Sequence, residues 1–381
     1  MKNSFSKAIV LLIAAAFIRW GLLVWMEESS GWVSLVLAAV ILLFGGFVVL
    51  KQIAEIIEET TGVLSVRTKI AGGLLQSFGT AFPDMILGLV AAVISLQTKD
   101  TDLTLAINYA IIAAATTFGS NIYNIGHAVW CIYRQNIADQ LQRPLLMFPG
   151  LKSGGTLLPI AQHKTKPTIN EINNAIDISM SLTVLTAVVA LAMVIFGQVK
   201  EPIPGLSGDL YQLVQPVGGV ILVLCILVMY FFRHSHRPES PEESTGYFHA
   251  RSSWFIFLNL AVAGLAILFT AESMVKAIEY LAHISHLPYV IAGVAAGFIG
   301  CLGEMIVVHN FSVNPTGRIG DAIVGVAMDN IVTLMGASIV AVIGGIFLGG
   351  NALILIFVII LTLNTALVWQ MSKLKNIYIK K

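Results

Sequence analysis

Two acidic residues stand where acids are unfavourable. Asp84 falls inside residues 70–96, IAGGLLQSFGTAFPDMILGLVAAVISL, and Glu304 inside residues 288–312, PYVIAGVAAGFIGCLGEMIVVHNFS. Both stretches are long and apolar enough to cross a bilayer, for which about 20 residues suffice. A carboxylate at mid-membrane costs roughly 2.5–3.5 kcal/mol on insertion scales. Each acid also follows residues that weaken a helix: Gly79, Thr80 and Pro83 before Asp84, and Gly297, Gly300 and Gly303 before Glu304. Proline lacks a backbone donor and its ring clashes with the preceding turn, so a break is expected at Pro83. A broken helix that carries an acid brings freed backbone groups and a charge to one place, which is the chemistry of an ion site.

The rest of the chain must hold these two stretches in a membrane. Of 381 residues only 11% are charged, against about a quarter in a soluble protein, and the mean hydropathy is +0.85. A net charge of +1 leaves no electrostatic footprint for nucleic acid. Cys131, Cys225 and Cys301 lie in or beside apolar segments at unrelated spacings, which suggests neither a disulfide framework nor a zinc site. No Walker loop, Rossmann glycine pattern or HExxH occurs, so neither an ATP-driven pump nor a membrane protease has support, and no nucleophile–base pair supports an enzyme.

Apolar spans are expected at 8–26, 32–57, 70–96, 103–132, 176–197, 211–232, 254–282, 288–312, 319–347 and 350–371. The first reads as an uncleaved helix rather than a signal peptide, because no small-x-small cleavage site follows it. Residues 133–170 are polar and basic, with Pro144, Pro149, Pro159, Pro167 and Gly154–Gly155, and read as a loop partly on the membrane surface. Thr168 and Glu171 fit a capping box that opens the next helix. The polar linker at 233–251 is too short for a folded domain, and its His234, His236 and His249 read as solvated rather than metal-binding. His127 and His309 lie within spans near the motifs and read as packing histidines ahead of a proton relay.

Ten spans put both termini on one side. With that side taken as cytoplasmic, 18 of the 22 Lys and Arg fall inside, only Lys99 and Lys200 fall outside, and Arg19 and Lys276 fall within spans. This asymmetry supports both the count and the orientation. The two acid-bearing stretches also align. FGTAFPD (78–84) lies over FIGCLGE (298–304), and GSNIYN (119–124) over MDNIVT (328–333), so Asp84 meets Glu304 and Asn121 meets Asn330. The first unit starts outside and the second inside, so they are inverted copies, which place their breaks face to face at the bilayer midplane.

These motifs resemble those of the calcium/cation antiporter superfamily, which includes the sodium/calcium exchangers. The resemblance rests on Gly79-Thr80-Ala81-Phe82-Pro83-Asp84 and Gly119-Ser120-Asn121-Ile122-Tyr123-Asn124, with degenerate counterparts at Ile299–Glu304 and Met328–Thr333. It covers 32–132 and 254–347 by motif and the remaining helices by topology. The fold it implies is an all-α polytopic membrane protein of about ten transmembrane helices with two inverted repeats containing broken helices. The expected organisation is an extra N-terminal helix (1–31), a first repeat (32–132), a cytoplasmic loop (133–170), two connecting helices (171–233), a cytoplasmic linker (234–253), a second repeat (254–347), and a last helix with a basic tail (348–381).

The chain departs from the family pattern at several ligand positions. Asp84 is one methylene shorter than the family's Glu, Ala81 and Cys301 stand where a hydroxyl is usual, and Gly300 replaces a Thr. Asp329 adds an acid where Ser is usual, and Thr333 stands where Asn or Asp is usual. The implied ion-binding set is Asp84 and Glu304, with Thr80, Ser120, Asn124, Asp329 and Thr333. Two carboxylates match one divalent ion, which takes six to eight oxygen ligands if it is calcium. Unpaired, the three acids would cost roughly 8–10 kcal/mol, and no Lys or Arg lies mid-span beside them, so cations or protons must occupy the site. The resemblance implies exchange of Ca2+ for Na+, with H+ as the alternative coupling ion and no cofactor. The expected surroundings are membrane lipid, a cell inner membrane, and cytoplasmic termini. A transport-inactive sensor or scaffold is the reading of a different class, and an ion-flux assay separates it. The sequence sets no oligomeric state.

Overall fold

The computed structural model describes residues 4–68, 74–143, 145–148, 159–160, 167–199, 210–235, 248, 250–313, 319–343 and 347–379. Its helices follow the apolar stretches in order. α1 (Ser4–Phe17), a π-helical turn (Ile18–Leu22) and α2 (Leu23–Glu28) form one rod. A second rod joins α3 (Trp32–Leu43), a π-helical segment (Phe44–Leu50) and α4 (Lys51–Thr68). Next come α5 (Leu74–Thr98) and α6 (Leu103–Leu141), then α7 (Ile169–Phe196) and α8 (Gln215–Ser235). The second half holds α9 (Ser253–Ser285), α10 (Tyr289–Gly300), α11 (Leu302–Val313), α12 (Ile319–Ile343) and α13 (Gly350–Ile379). Two short antiparallel sheets cap the bundle: β1 (Leu145–Leu146) with β2 (Pro159–Ile160), and β3 (Gln198–Val199), β4 (Leu210–Gln212) and β5 (Phe347–Gly349) in that order.

Among the described residues nine helices are long and apolar enough to cross a membrane, and the bent pair α10–α11 makes a tenth. This is an all-α polytopic integral membrane protein. Large apolar side chains such as Trp20, Trp32, Val184 and Phe196 point outward, as expected where lipid rather than water is the outer solvent. α5, α6 and α12 lie inside, packed among the other helices.

Chain direction can be followed through side-chain contacts. Ser4 and Lys7 on α1 reach Glu59 and Glu55 near the end of α4, and Arg67 there reaches Ser253 at the start of α9. Ser95 near the end of α5 meets Ala106 near the start of α6. Asn136 near the end of α6 bonds Gln370 near the end of α13, 2.8 Å. The first residues of α1 and the last of α13 therefore share one face. The unit α3–α6 begins on the opposite face and the unit α9–α12 begins on the terminal one, so the two are inverted. Lys276 to Glu27, 3.1 Å, and Arg19 to Glu272, 2.7 Å, tie the N-terminal rod to α9.

Three expectations change. First, α5 does not break at Pro83 but runs unbroken from Leu74 to Thr98. The proline ring meets the carbonyl of residue 79, a glycine, whose backbone tilts more freely than that of other residues. Membrane helices tolerate proline where neighbours hold the backbone, and α4, α6, α9 and α12 all pack on α5. Second, α6 continues past residue 132 to Leu141. Its polar end is buried because it is bonded: Gln135 and Tyr378 both donate to Asp139 Oδ2, at 2.9 and 3.0 Å. Third, the loop after α6 folds inward at 145–148. Trp130 donates to the Met147 carbonyl at 3.0 Å and Arg134 to the Leu146 carbonyl at 3.1 Å. Pro144, Pro149, Gly154, Gly155, His236 and His249 lie outside the described residues.

The capping box forms as expected. Thr168 Oγ1 accepts from the Glu171 amide, 3.1 Å, and Glu171 Oε2 accepts from the Thr168 amide, 3.3 Å. Glu171 Oε1 also accepts from the Gly320 amide, 2.9 Å, so one side chain caps α7 and fastens the start of α12.

Candidate functional site

The glycines of the second repeat produce the break that proline does not produce in the first. α10 ends at Gly300, Cys301 takes φ −86° and ψ 1°, and the axis turns by 53° before α11 continues. Glu304 sits in the first turn of α11, where the helix dipole favours a carboxylate.

Glycine also sets how closely the helices approach this break. A Cβ on Gly297 would stand 2.7 Å from both the Ser120 amide nitrogen and the Thr116 carbonyl oxygen, and one on Gly119 would stand 2.8 Å from Val294 Cα. α6 and α10 thus touch backbone to backbone. In the π-helical segment of the second rod, Gly46 leaves the space that Ile299 fills.

Asp84 lies across the break from α5. A Cβ on Gly300 would fall on Asp84 Oδ1, so the carboxylate occupies the volume that any other side chain at 300 would need. Ser120 lies beside Asp84, but its hydroxyl donates to the Thr117 carbonyl, 2.9 Å. Both oxygens of Asp84 are therefore left without a hydrogen bond among the described residues, at 1% exposure. Asn124 on α6 donates to Glu304. Cys301 lies within electrostatic reach of both Asp84 and Glu304. The two acids thus flank one break, joined by Ser120 and Asn124.

Further buried amides stand on α6 and α12. Both polar atoms of Asn121 and the side-chain oxygens of Asn124 and Asn330 lack partners among the described residues. An unsatisfied buried polar atom costs about 1–3 kcal/mol, so the unpaired oxygens of Asp84 and of Asn124, whose amide is bonded to Glu304, suit a cation or water as the missing partner. The donor chemistry is all oxygen, as hard cations require.

The remaining expected ligands are placed less directly. Thr80 is on α5 one turn before Asp84, and its side chain lies outside the described residues. Asp329 and Thr333 are buried on α12, where Thr333 donates to the Asp329 carbonyl, 2.9 Å. α12 meets α5 where Gly336 accepts Met85, and Asp329 lies about 10 Å back along α12 from that contact. No hydrogen bond among the described residues joins Thr333 to the Asp84–Glu304 cluster.

Sequence reasoning missed three contributors: the close Asp84–Gly300 contact, the π-helical segment against Ile299, and the grouping of His127, Cys131 and His309. The twin glycines Gly45-Gly46 were the available signal for the second. The other two join residues far apart in the chain and had none.

No protein-family model matches the chain, and no curated protein matches it. Among solved structures it is similar to the H+/Ca2+ exchanger CAX, with a TM-score of 0.59 at 14% identity over 99% of this chain and 93% of that one. The chain shares the fold of that exchanger. A second similar structure, that of native YfkE, gives a TM-score of 0.56 at 14% identity over 98% of this chain and 97% of that one. Both likenesses span the N-terminal rod and the loop after α6 as well as the repeats, so the fold is shared along almost the whole chain.

Proposed function

We propose that the protein is a secondary active antiporter that exchanges calcium for sodium by alternating access at the Asp84–Glu304 break. The observation that carries this reading is the Asp84 carboxylate, buried without a hydrogen bond and facing a glycine-made gap beside Glu304. Two carboxylates neutralise one divalent ion. Ser120, Asn124, Thr80 and Thr333 would add neutral oxygens, and Asp329 a third charge. Competing ions need the same acids. The empty, ionised site is too unfavourable to move across the membrane, so only loaded states would change sides. The positive-inside pattern supports an inner membrane with both termini in the cytoplasm.

A second reading keeps the site and changes the coupling ion to a proton. Two observations favour it: the similar structure CAX is described as an H+/Ca2+ exchanger, and Gly300 and Ala81 offer Asp84 no hydroxyl. A proton would neutralise a carboxylate so placed without any further ligand.

The test is calcium uptake into proteoliposomes under an imposed sodium, potassium or proton gradient. Uptake driven by sodium alone supports the first reading, and by protons alone the second. Asp84→Asn and Glu304→Gln are each expected to abolish uptake while the protein remains inserted. Full transport in both variants would remove the site, and no flux of any cation under any gradient would leave a sensor or scaffold.

A further inference from the structure

One turn past Asn124, α6 presents His127 and, four residues on, Cys131, on the same face. α11 presents His309, five residues past Glu304. The ligand atoms of these three residues lie within 4.8 Å of one another. Cys131 Sγ stands 3.5 Å from His127 Nε2. The imidazole centroids of His127 and His309 are 5.7 Å apart, with the rings 18° from parallel. Both spacings suit one tetrahedral ion. With Zn–S of about 2.3 Å and Zn–N of about 2.0–2.1 Å, the S–N edge of such a site is about 3.5 Å and its two ring centroids sit about 5 Å apart.

The environment also fits. His309 is 6% exposed, and its Nε2 is buried with no hydrogen-bond partner. A buried imidazole nitrogen without a partner, on a residue whose ring lies beside a second imidazole and a thiol, suits a ligand set better than a packing surface. Phe148 lies over both rings, at 6.4 Å from His127 and 5.9 Å from His309, held there by the Trp130 and Arg134 bonds to its loop. It closes the cluster on the side of the inturned loop.

We propose that His127, Cys131 and His309 form a three-ligand site for a borderline-soft divalent cation of the zinc class, distinct from the oxygen site at Asp84 and Glu304. Nitrogen and thiolate donors select such ions over calcium, magnesium or sodium. The thiol gives up its proton when the metal binds. A fourth position stays open for water. The bound ion would bridge the two inverted units, since α6 belongs to one and α11 to the other.

Purified full-length protein in detergent, titrated with Co2+ as the spectroscopic stand-in for Zn2+, tests this. The wild type should develop a sulfur-to-cobalt charge-transfer band at one equivalent, and excess Zn2+ should bleach it. Zn2+ should also raise the melting temperature. Cys131→Ser should abolish the band and the shift, and Cys301→Ser, which alters the thiol beside Asp84 and Glu304, should keep both. His309→Gln serves as a second variant should Cys131→Ser not fold, and should weaken Co2+ binding at least tenfold. The proposal is overturned by a wild type without the band, by a band that survives Cys131→Ser, by Co2+ affinity unchanged in His309→Gln, or by a band lost only with Cys301→Ser.

Discussion

At Asp84 and Gly300 two departures from the exchanger motif belong together. The acid is short and position 300 has no side chain, and the carboxylate fills the space that the missing side chain leaves. Gly300→Ala is therefore expected to displace Asp84. Overpacking there should cost about 1–3 kcal/mol. Calcium uptake should fall roughly tenfold or more, because small misplacements of a reacting group are amplified. Flux and detergent melting measured on one preparation check both, and unchanged flux would show that the contact is incidental. Asp329 calls for a different test. It is buried on α12 and is an extra acid relative to the motif. Asp329→Ser should retain transport and alter ion preference or pH dependence, read from uptake across a series of ions and pH values. An unaltered profile would count against Asp329 as a ligand.

The two acid-bearing elements reach similar ends by different backbone chemistry. Glycines at 297, 300 and 303 let α10 stop and α11 start at 53°, whereas α5 absorbs Pro83 within a continuous helix. Proline inside a helix costs about 3 kcal/mol or more through its lost hydrogen bond and ring clash. Pro83→Ala should restore the bond to the carbonyl of residue 79 and leave α5 helical, stabilising the protein by up to about 3 kcal/mol. A higher melting temperature with unchanged helical circular dichroism is the expected result. A loss of stability would mean that the chain requires a break there. Element boundaries were least legible where polar residues continue a helix. Nothing in Gln135, Asn136 or Asp139 announces burial until Gln370 and Tyr378 arrive from α13 to bond them.

Across the whole molecule, contacts from Ser4–Glu59 to Asn136–Gln370 fix the alternation of spans without reference to charge. Single cysteines placed in an otherwise cysteine-free background at Ser4 and Lys375 should label from one face of sealed vesicles, and one at Asp100 from the other. Labelling of Ser4→Cys and Lys375→Cys from opposite faces would remove one span from the count. On the positive-inside rule we propose that the shared face is the cytoplasmic one in cells.

Hydropathy was enough to place the membrane-crossing stretches, and the two matched motifs were enough to single out Asp84 and Glu304 as candidates. Each rests on the solvent: in a bilayer, local apolarity and charge dictate which segments cross and which way they face. Tertiary structure alone decided that α5 stays whole, that Gly300 makes room for Asp84, that Asn124 reaches Glu304, and that His127, Cys131 and His309 converge. Those contacts join residues up to 216 positions apart (84 and 300). They depend on how closely two helices approach, which side-chain volume at the crossing sets and linear spacing does not encode.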